Sequence, residues 1–326
     1  MAKVRSAQVS LAACLVLAAL AKPLATSAEA PWPSRPITFV VSYPPGGGAD
    51  LVARLLAERM GAALGQTIVV ENRAGAGGQL GAAAVARSAP DGYTVLVDAG
   101  SFAINPSLQP KLPYNPAKDF AAIGVAALFP HVLVVTTSFK ANSVADLIDE
   151  AKRSHLSFAS SGNGSSQHIA AALFMQNAKV SMTHVPYRGG GPAIIDVMGG
   201  QVPVLFGNVA STLSHIQAGR LKPLAIAGSK RIPALPKVPT LQEEGVNGAE
   251  MYEWNGVFVP ARTPAGVVNR LSEAMAKALA EQEVKDRIVA LGGEPFQGDR
   301  EQATKFIGAE TQRIAEVIRS NRIKPD

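Results

Sequence analysis

The sequence predicts an α/β fold of two lobes, each a mostly parallel sheet flanked by helices, with two hinge crossovers between them. Three observations predict it. Short β-branched runs lead into glycine-rich turns and then into helical stripes, the alternation that builds parallel sheets covered by helices. The same grammar starts afresh in the middle of the chain. Two extended apolar stretches, Phe129 to Thr136 and Trp254 to Val259, separate the halves and read as crossings between them.

Ahead of the first strand, Lys3 and Arg5 precede an apolar run from Val9 to Ala21, and small residues follow at Thr26, Ala28 and Ala30. This is the layout of a secretory signal peptide, and the run is shorter than the ~20 residues that a membrane span needs. The signal is assigned to residues 1–28, with export to the periplasm as the expectation. The formal charge of +6 falls to +3 once Lys3, Arg5 and Lys22 are set aside, and no basic run remains. Nucleic acid is therefore excluded as a partner. Cys14, the only cysteine, lies inside the apolar run, so the exported chain carries no disulfide, thiol nucleophile or cysteine ligand. The five histidines are scattered without metal-ligand spacing, and neither a metal nor a cofactor is expected.

Ile37 to Ser42 is a buried-strand run. The turn Tyr43-Pro44-Pro45-Gly46-Gly47-Gly48 follows, then a helix with Leu51, Leu55, Leu56 and Met60 on one face. Thr67 to Glu71 repeats the theme, leading through Asn72-Arg73-Ala74-Gly75-Ala76-Gly77-Gly78 into an alanine-rich helix. Tyr93 to Val97 is the third strand, and Asp98-Ala99-Gly100-Ser101 after it is a candidate loop. In the second half Val132 to Thr136 is a strand, and Ser143 with Asp146 forms a capping box. Leu156 to Ala159 runs into Ser160-Ser161-Gly162-Asn163-Gly164-Ser165-Ser166 and a helix carrying Ile169, Ala172 and Leu173. A further strand ends at Tyr187-Arg188-Gly189-Gly190-Gly191-Pro192, and Val202 to Phe206 and Leu224 to Ala227 close this half.

Near the C-terminus Thr263 is expected to cap a helix starting at Pro264, with Val267, Val268, Leu271, Met275 and Leu279 as its stripe. Asp299 opens another, with Ala303, Phe306, Ile307, Ile314, Val317 and Ile318 facing a core. Both helices are expected to complete the first lobe. That lobe comprises residues 31–131 plus 255–326, and the second comprises 132–254.

Several catalytic signatures are absent. There is no Gly-Lys-Ser/Thr phosphate loop, no His-Glu-x-x-His helix and no Gly-x-Ser-x-Gly elbow. The run from Gly75 to Gly81 approaches a dinucleotide fingerprint, but Leu80 occupies its third glycine position. What remains is a set of glycine- and hydroxyl-rich loops at strand-to-helix junctions: Tyr43 to Asp50, Asn72 to Gln79, Ser160 to His168 and Arg188 to Pro192. A helix's first turn offers unpaired N–H groups and a positive dipole end, and glycine lets a ligand approach the backbone. With so few charges in these loops, a carboxylate held by amides and hydroxyls fits better than a phosphate. Asp50 reads as a helix cap. His168 reads either as a loop cap or as a ligand contact, Arg188 as a solvated charge or a carboxylate partner, and Tyr43 and Phe102 as packing residues or cavity walls.

Six segments carry a resemblance: Trp32-Pro33-Ser34-Arg35-Pro36-Ile37, Pro44-Pro45-Gly46-Gly47-Gly48-Ala49-Asp50, Glu71-Asn72-Arg73-Ala74-Gly75-Ala76-Gly77-Gly78, Ala89-Pro90-Asp91-Gly92-Tyr93, Val185-Pro186-Tyr187-Arg188-Gly189 and Val238-Pro239-Thr240. Together, and in this order, they resemble the Bug family, the TctC-like substrate-binding proteins of tripartite tricarboxylate transporters. The resemblance implies a type II periplasmic binding protein fold, a monomer whose lobes close on a small di- or tricarboxylic or amino acid, and membrane permease subunits as partners. The family's ligand loops fall here on Tyr43, Gly46, Gly47 and Gly48, on Gly75, Ala76, Gly77 and Gly78, and on Ser101. In the second half they fall on Ser160, Gly162, Gly164, Ser165 and His168, and on Asn208. Asp98, just before Ser101, departs from the small or hydroxyl residues expected there and favours a ligand with an amino group. Two other functions share these features: a periplasmic sensory module for a signalling receptor, and a secreted hydrolase using Ser165 or Ser161 with His168.

Overall fold

A computed structural model describes residues 32–324, and the body that begins at Arg35 carries every element below. The expected signal peptide and its cleavage site lie outside the described residues.

The first sheet is built around β1 (Ile37–Val41), which pairs in parallel with β2 (Ile68–Asn72) on one side and β3 (Thr94–Asp98) on the other. Helices α1 (Gly48–Leu64) and α2 (Gln79–Ala86) connect these strands. The stretch after β3, expected to be a loop, instead opens α3 (Ser101–Leu108), whose internal Pro106 hides the helical pattern. After a short α4 (Pro116–Asp119) comes β4 (Phe120–Thr136), a strand of 17 residues. It begins well before the expected Phe129, because Phe120 to Pro130 pair with the returning strand.

Strand β4 serves two sheets. From Phe120 to Pro130 it runs antiparallel to β9 (Tyr252–Pro260); from His131 onward it runs antiparallel to β7 (Val204–Asn208) and β8 (Leu221–Ala227). The change of partner falls between Pro130 and His131. Helix α5 (Val144–Arg153) follows with the expected Ser143/Asp146 capping box. Then come β5 (Ser157–Ser160), α6 (Ser166–Ala178), β6 (Thr183–Pro186), α7 (Gly190–Met198) and, after β7, α8 (Val209–Gln217). Strand β5 lies parallel between β6 and β7. Strands β1 to β3 and β5 to β7 thus keep the expected parallel pairing. The strands that cross between sheets pair antiparallel, because a chain returning along its outgoing path reverses direction, and the sheets are mixed.

The chain ends with α9 (Ala265–Ala280), α10 (Gln282–Ala290), β10 (Glu294–Pro295) and α11 (Arg300–Ser320). Asp299 caps α11 in a box with Gln302. Thr263 does not cap α9: the Pro264 carbonyl accepts from Val267 and Val268, and Thr263 Oγ1 has no hydrogen-bond partner among the described residues. The N-cap position falls one residue later, on Pro264 itself, whose side chain has no acceptor to offer. Helix α11 also does more than complete one lobe. Its Ala303 and Ile307 join the first sheet's cluster with Val40, Leu96, Phe102 and Trp254, whereas Ile314 and Ile318 join the second sheet's cluster with Leu133, Phe158, Phe174 and Phe206. From α3, Ile104 and Leu108 also pack into that second cluster.

Candidate functional site

The turn leaving β1 is held from below by Asp50. Its carboxylate accepts from the Gly46 amide (2.9 Å), Arg54 Nε (3.0 Å) and Asn72 Nδ2 (2.9 Å), and Asn72 Nδ2 also donates to the Tyr43 carbonyl (3.0 Å). Burial alone raises the Asp50 pKa, but these hydrogen bonds outweigh it and hold the carboxyl below its ordinary value. Asp50 is therefore a clip for the loop, as its position in the first helical turn suggests.

Two cavities open where the strand ends of the two sheets face each other. One, of about 410 Å³, lies between Tyr43 to Ala49 on the first side and Ser161, Gln167, Gly190 to Pro192 and Asn208 on the second, with Glu253 of β9 in its wall. Four helices of nine residues or more, α1, α6, α7 and α8, present their first turns to this space. Among the described residues, no lysine or arginine lines it. The other, of about 830 Å³, is lined by Ala74 to Gln79, Asn105 and Gln109 on one side and Ser161 to Asn163 and Pro186 to Gly189 on the other. Tyr43, Pro44 and Ser161 border both. Pro44 also approaches Gly189, where a Cβ would stand 3.2 Å from the ring.

Beneath these cavities lies a buried polar cluster. Asp98 Oδ1 accepts from Ser42 Oγ, the Ala99 amide (2.7 Å) and Ser101 Oγ (2.8 Å), and Oδ2 has no partner among the described residues. Burial pushes the Asp98 carboxyl up to about 6 against the pull of those three donors. Glu253 accepts from Ser166 Oγ (3.1 Å). Burial raises it to about 7, with Ser166 and Asn208 opposing and the nearby Asp98 adding to the rise. The Tyr43 phenol sits against both acids and is pushed well above its usual value, first by burial.

Most of the first half's expected residues reach the cavities: Tyr43, Gly46, Gly47 and Gly48 line the smaller, and Gly75, Ala76, Gly77 and Gly78 the larger. Gly78 has φ +87°, and a Cβ there would lie 2.8 Å from Ser101 Oγ, so this backbone rests directly on the Asp98 cluster. Ser101 itself is buried beneath Gly78 and supports the wall rather than forming it.

The second half divides. Gly162 and Asn208 line the cavities. Asn208 also caps α8, its Oδ1 accepting from the Ala210 amide (2.8 Å). Ser160, Gly164, Ser165 and His168 lie elsewhere. Ser160 Oγ is taken by the Gly162 carbonyl and by His184 Nε2 (2.6 Å), and Ser165 Oγ caps α6 by accepting from the His168 amide. Gly164 packs against α3, where a Cβ would fall 1.8 Å from Leu108 Cδ2. The His168 ring stacks on His184 at 3.9 Å, takes the Gly164 amide on Nδ1 and borders a separate depression with Met175, Met182 and Lys324. Burial, then His184, lowers its pKa to about 4. Neither Ser165 nor Ser161 meets the His168 ring as a nucleophile meets its base, so the pairing needed for the hydrolase is not assembled.

Glu253 and Gln167 were not among the expected residues. Gln167 Oε1 accepts from the Ser161 amide (2.6 Å) and fixes the tip of that turn. No sequence signal marks Glu253, an isolated acid on a strand whose neighbours read only as a crossover.

Two α/β halves that share long crossing strands and turn their helix N-termini toward one cleft define the two-lobed periplasmic binding protein fold. The TctC family, described as the tripartite tricarboxylate transporter family receptor, matches residues 52–323, and the chain belongs to it. It is 38% identical over 316 residues to a protein of the tcbD-tcbE intergenic region of Pseudomonas sp. (strain P51), covering 94% of each chain. BugT of Bordetella pertussis is 36% identical over 297 residues, covering 90% of this chain and 91% of that one. Among solved structures, R. palustris Rpa4515 with adipate superposes with a TM-score of 0.87 at 34% identity, covering 90% of this chain and all of the other. MatC from Rhodopseudomonas palustris, with bound malate, gives a TM-score of 0.82 at 34% identity, covering 88% of this chain and all of the other.

Proposed function

We propose that this protein is a periplasmic solute receptor that captures a small organic carboxylate between its lobes, without turnover, and delivers it as a monomer to the membrane subunits of a tripartite tricarboxylate transporter. The observation that carries this reading is the 410 Å³ cavity into which four helix N-termini open and which, among the described residues, no lysine or arginine lines. Such a space neutralises an anion through oriented peptide N–H groups, each helix end contributing ~0.3–1 kcal/mol and each charge-assisted hydrogen bond ~1.5–3 kcal/mol. Adipate and malate in two relatives support a carboxylate as the anion.

The lobes are taken as residues 31–131 plus 255–326 and residues 132–254, with hinges where β4 changes sheets and where β9 returns. Ligand contacts are assigned to Tyr43, Gly46 to Gly48, Gly75 to Gly78, Gly162 and Asn208, with Ser101, Ser160, Gly164 and Ser165 supporting the walls. Thermal-shift measurements with dicarboxylic acids and their diesters test the reading. Saturable stabilisation by a free acid and none by its ester is expected; hydrolysis of the ester, or no response to any acid, contradicts it.

A further inference from the structure

The wall of the smaller cavity carries an acid where an anion is to be received. Among the described residues Glu253 is the one carboxylate lining it, and no lysine or arginine lines it as an offset. Glu253 Oε2 accepts from Ser166 Oγ of α6 (3.1 Å), a neutral donor that leaves a charge there uncancelled. The neighbouring elements add no cation. Phe129 of β4 stands opposite Glu253 in register, and His131, two residues on, is fully buried and lowered by that burial to about 4. His215 of α8 lines the same cavity and is lowered first by desolvation. Both imidazoles are neutral at pH 7. Tyr43 stays a phenol, and Asp98 of β3 pushes the Glu253 carboxyl further toward its protonated form. Two carboxyl groups that share one desolvated site do not both ionise; one keeps its proton.

Resting on the receptor reading above, we propose that Glu253 makes capture proton-coupled: binding of a carboxylate takes up one proton from solvent, and Glu253 holds it as a neutral acid that hydrogen-bonds the bound oxygen. The ionised side chain, one solvent proton and the ligand carboxylate become a carboxylic acid beside a carboxylate, with no other bond made or broken. Burial, opposed by Ser166 and Asn208, already raises Glu253 to about 7, and an anion beside it raises it further. Affinity is then highest where Glu253 is protonated beforehand. It falls as pH climbs above 7, by up to about tenfold per pH unit for one linked proton. The cleft grips an acid in a mildly acidic medium and loosens in an alkaline one.

Isothermal titration calorimetry with succinate, malate and adipate tests this between pH 6.5 and 8.5, where the probes themselves remain ionised. Each titration is run in phosphate and in Tris, whose different ionisation enthalpies report the protons exchanged. For any probe that binds, the wild type is expected to take up more than about half a proton per acid at pH 8 and to lose about tenfold in affinity between pH 7 and 8.5. Glu253→Gln keeps a hydrogen-bond donor without a charge. It should take up no proton, show a flat pH profile and bind at least about fivefold more tightly than the wild type at pH 8.5. Glu253→Ser serves for the uptake and the profile if the first variant does not fold. Wild-type binding without proton uptake, uptake that survives substitution, or weaker binding by Glu253→Gln at pH 8.5 overturns the assignment to Glu253 and leaves the receptor reading standing. Failure of all three acids to bind removes the receptor reading and this inference with it.

Discussion

The turn from Tyr43 to Gly47 and the turn from Ser160 to Ser165 both carry a parallel strand into a helix, and both are rich in glycine or hydroxyl. The first runs along the cavity wall from end to end. The second splits: Ser161, Gly162 and Asn163 face the cavities, whereas Ser160, Gly164 and Ser165 turn back into their own lobe. The difference lies in what secures each turn. Asp50, reaching back from α1, and Asn72 clip the first by its Gly46 amide and Tyr43 carbonyl; in the second the Ser160 and Ser165 hydroxyls are themselves spent on His184 and the α6 cap, with Gln167 holding the Ser161 amide. Position within a turn, more than residue type, decides which groups remain for a ligand.

The largest effect is expected where the second turn meets α3. Gly164→Ala puts a Cβ into Leu108 at φ +69°, and the combination of left-handed strain and overpacking should cost about 2–4 kcal/mol in denaturant unfolding. Adding Leu108→Ala should recover part of that loss, giving a double variant less destabilised than the sum of the two singles. Full additivity would show that the turn does not depend on this contact.

Gly78→Ala sharpens the contrast within the first half. Its Cβ would press on Ser101 and Asp98, so both the buried cluster and the cavity wall shift, and carboxylate affinity should fall at least tenfold. Gly46→Ala has nothing within 4 Å of the new Cβ and should show only the left-handed strain of about 1–2 kcal/mol, with a smaller loss of affinity. Ser165→Ala should be smaller again: about 1 kcal/mol of stability for a lost helix cap, with affinity changed less than twofold, as titration of the same acid will report.

The least effect is a pH dependence confined to the far side of the second turn. In the folded protein His168 titrates near 4, below its unfolded value, so the native state binds fewer protons than the unfolded chain between about pH 6.5 and 4. The stability this gives is present above pH 6.5 and is lost as pH falls toward 4. His168→Gln should therefore reduce the drop in Tm between pH 7 and pH 5 relative to wild type, without changing carboxylate affinity at pH 7.

Much of this was legible in the chain. Alternating β-branched runs and glycine turns gave the strands β1 to β3 and β5 to β7, and Ser143/Asp146 and Asp299 marked two helix starts that the structure keeps. The loops Tyr43 to Gly48 and Gly75 to Gly78 were legible as strand-to-helix turns because their glycines allow the positive φ found at Gly46, Gly75, Gly77 and Gly78. The length of β4 was not, since Ala121, Ala122 and Gly124 carry no strand signature and pair only because β9 lies beside them. Nor were the duties of Ser160 and Ser165, whose partners His184 and the backbone amides are set by folding; for His168, of the two readings offered, the loop cap is the one that the Gly164 amide on Nδ1 matches. Glu253 escaped for the same reason: its importance comes from Ser166, Asn208 and Asp98, brought to it from three other elements.

The central claim, that peptide groups from both halves jointly hold one small organic acid, is tested most directly by a crystal structure of the protein with a tightly bound carboxylate. The account predicts the acid in the space bordered by Tyr43, Ser161 and Asn208, with carboxylate oxygens within hydrogen-bond reach of backbone amides on both sides. An acid bound to one side alone, or held by lysine and arginine side chains elsewhere on the surface, would contradict it.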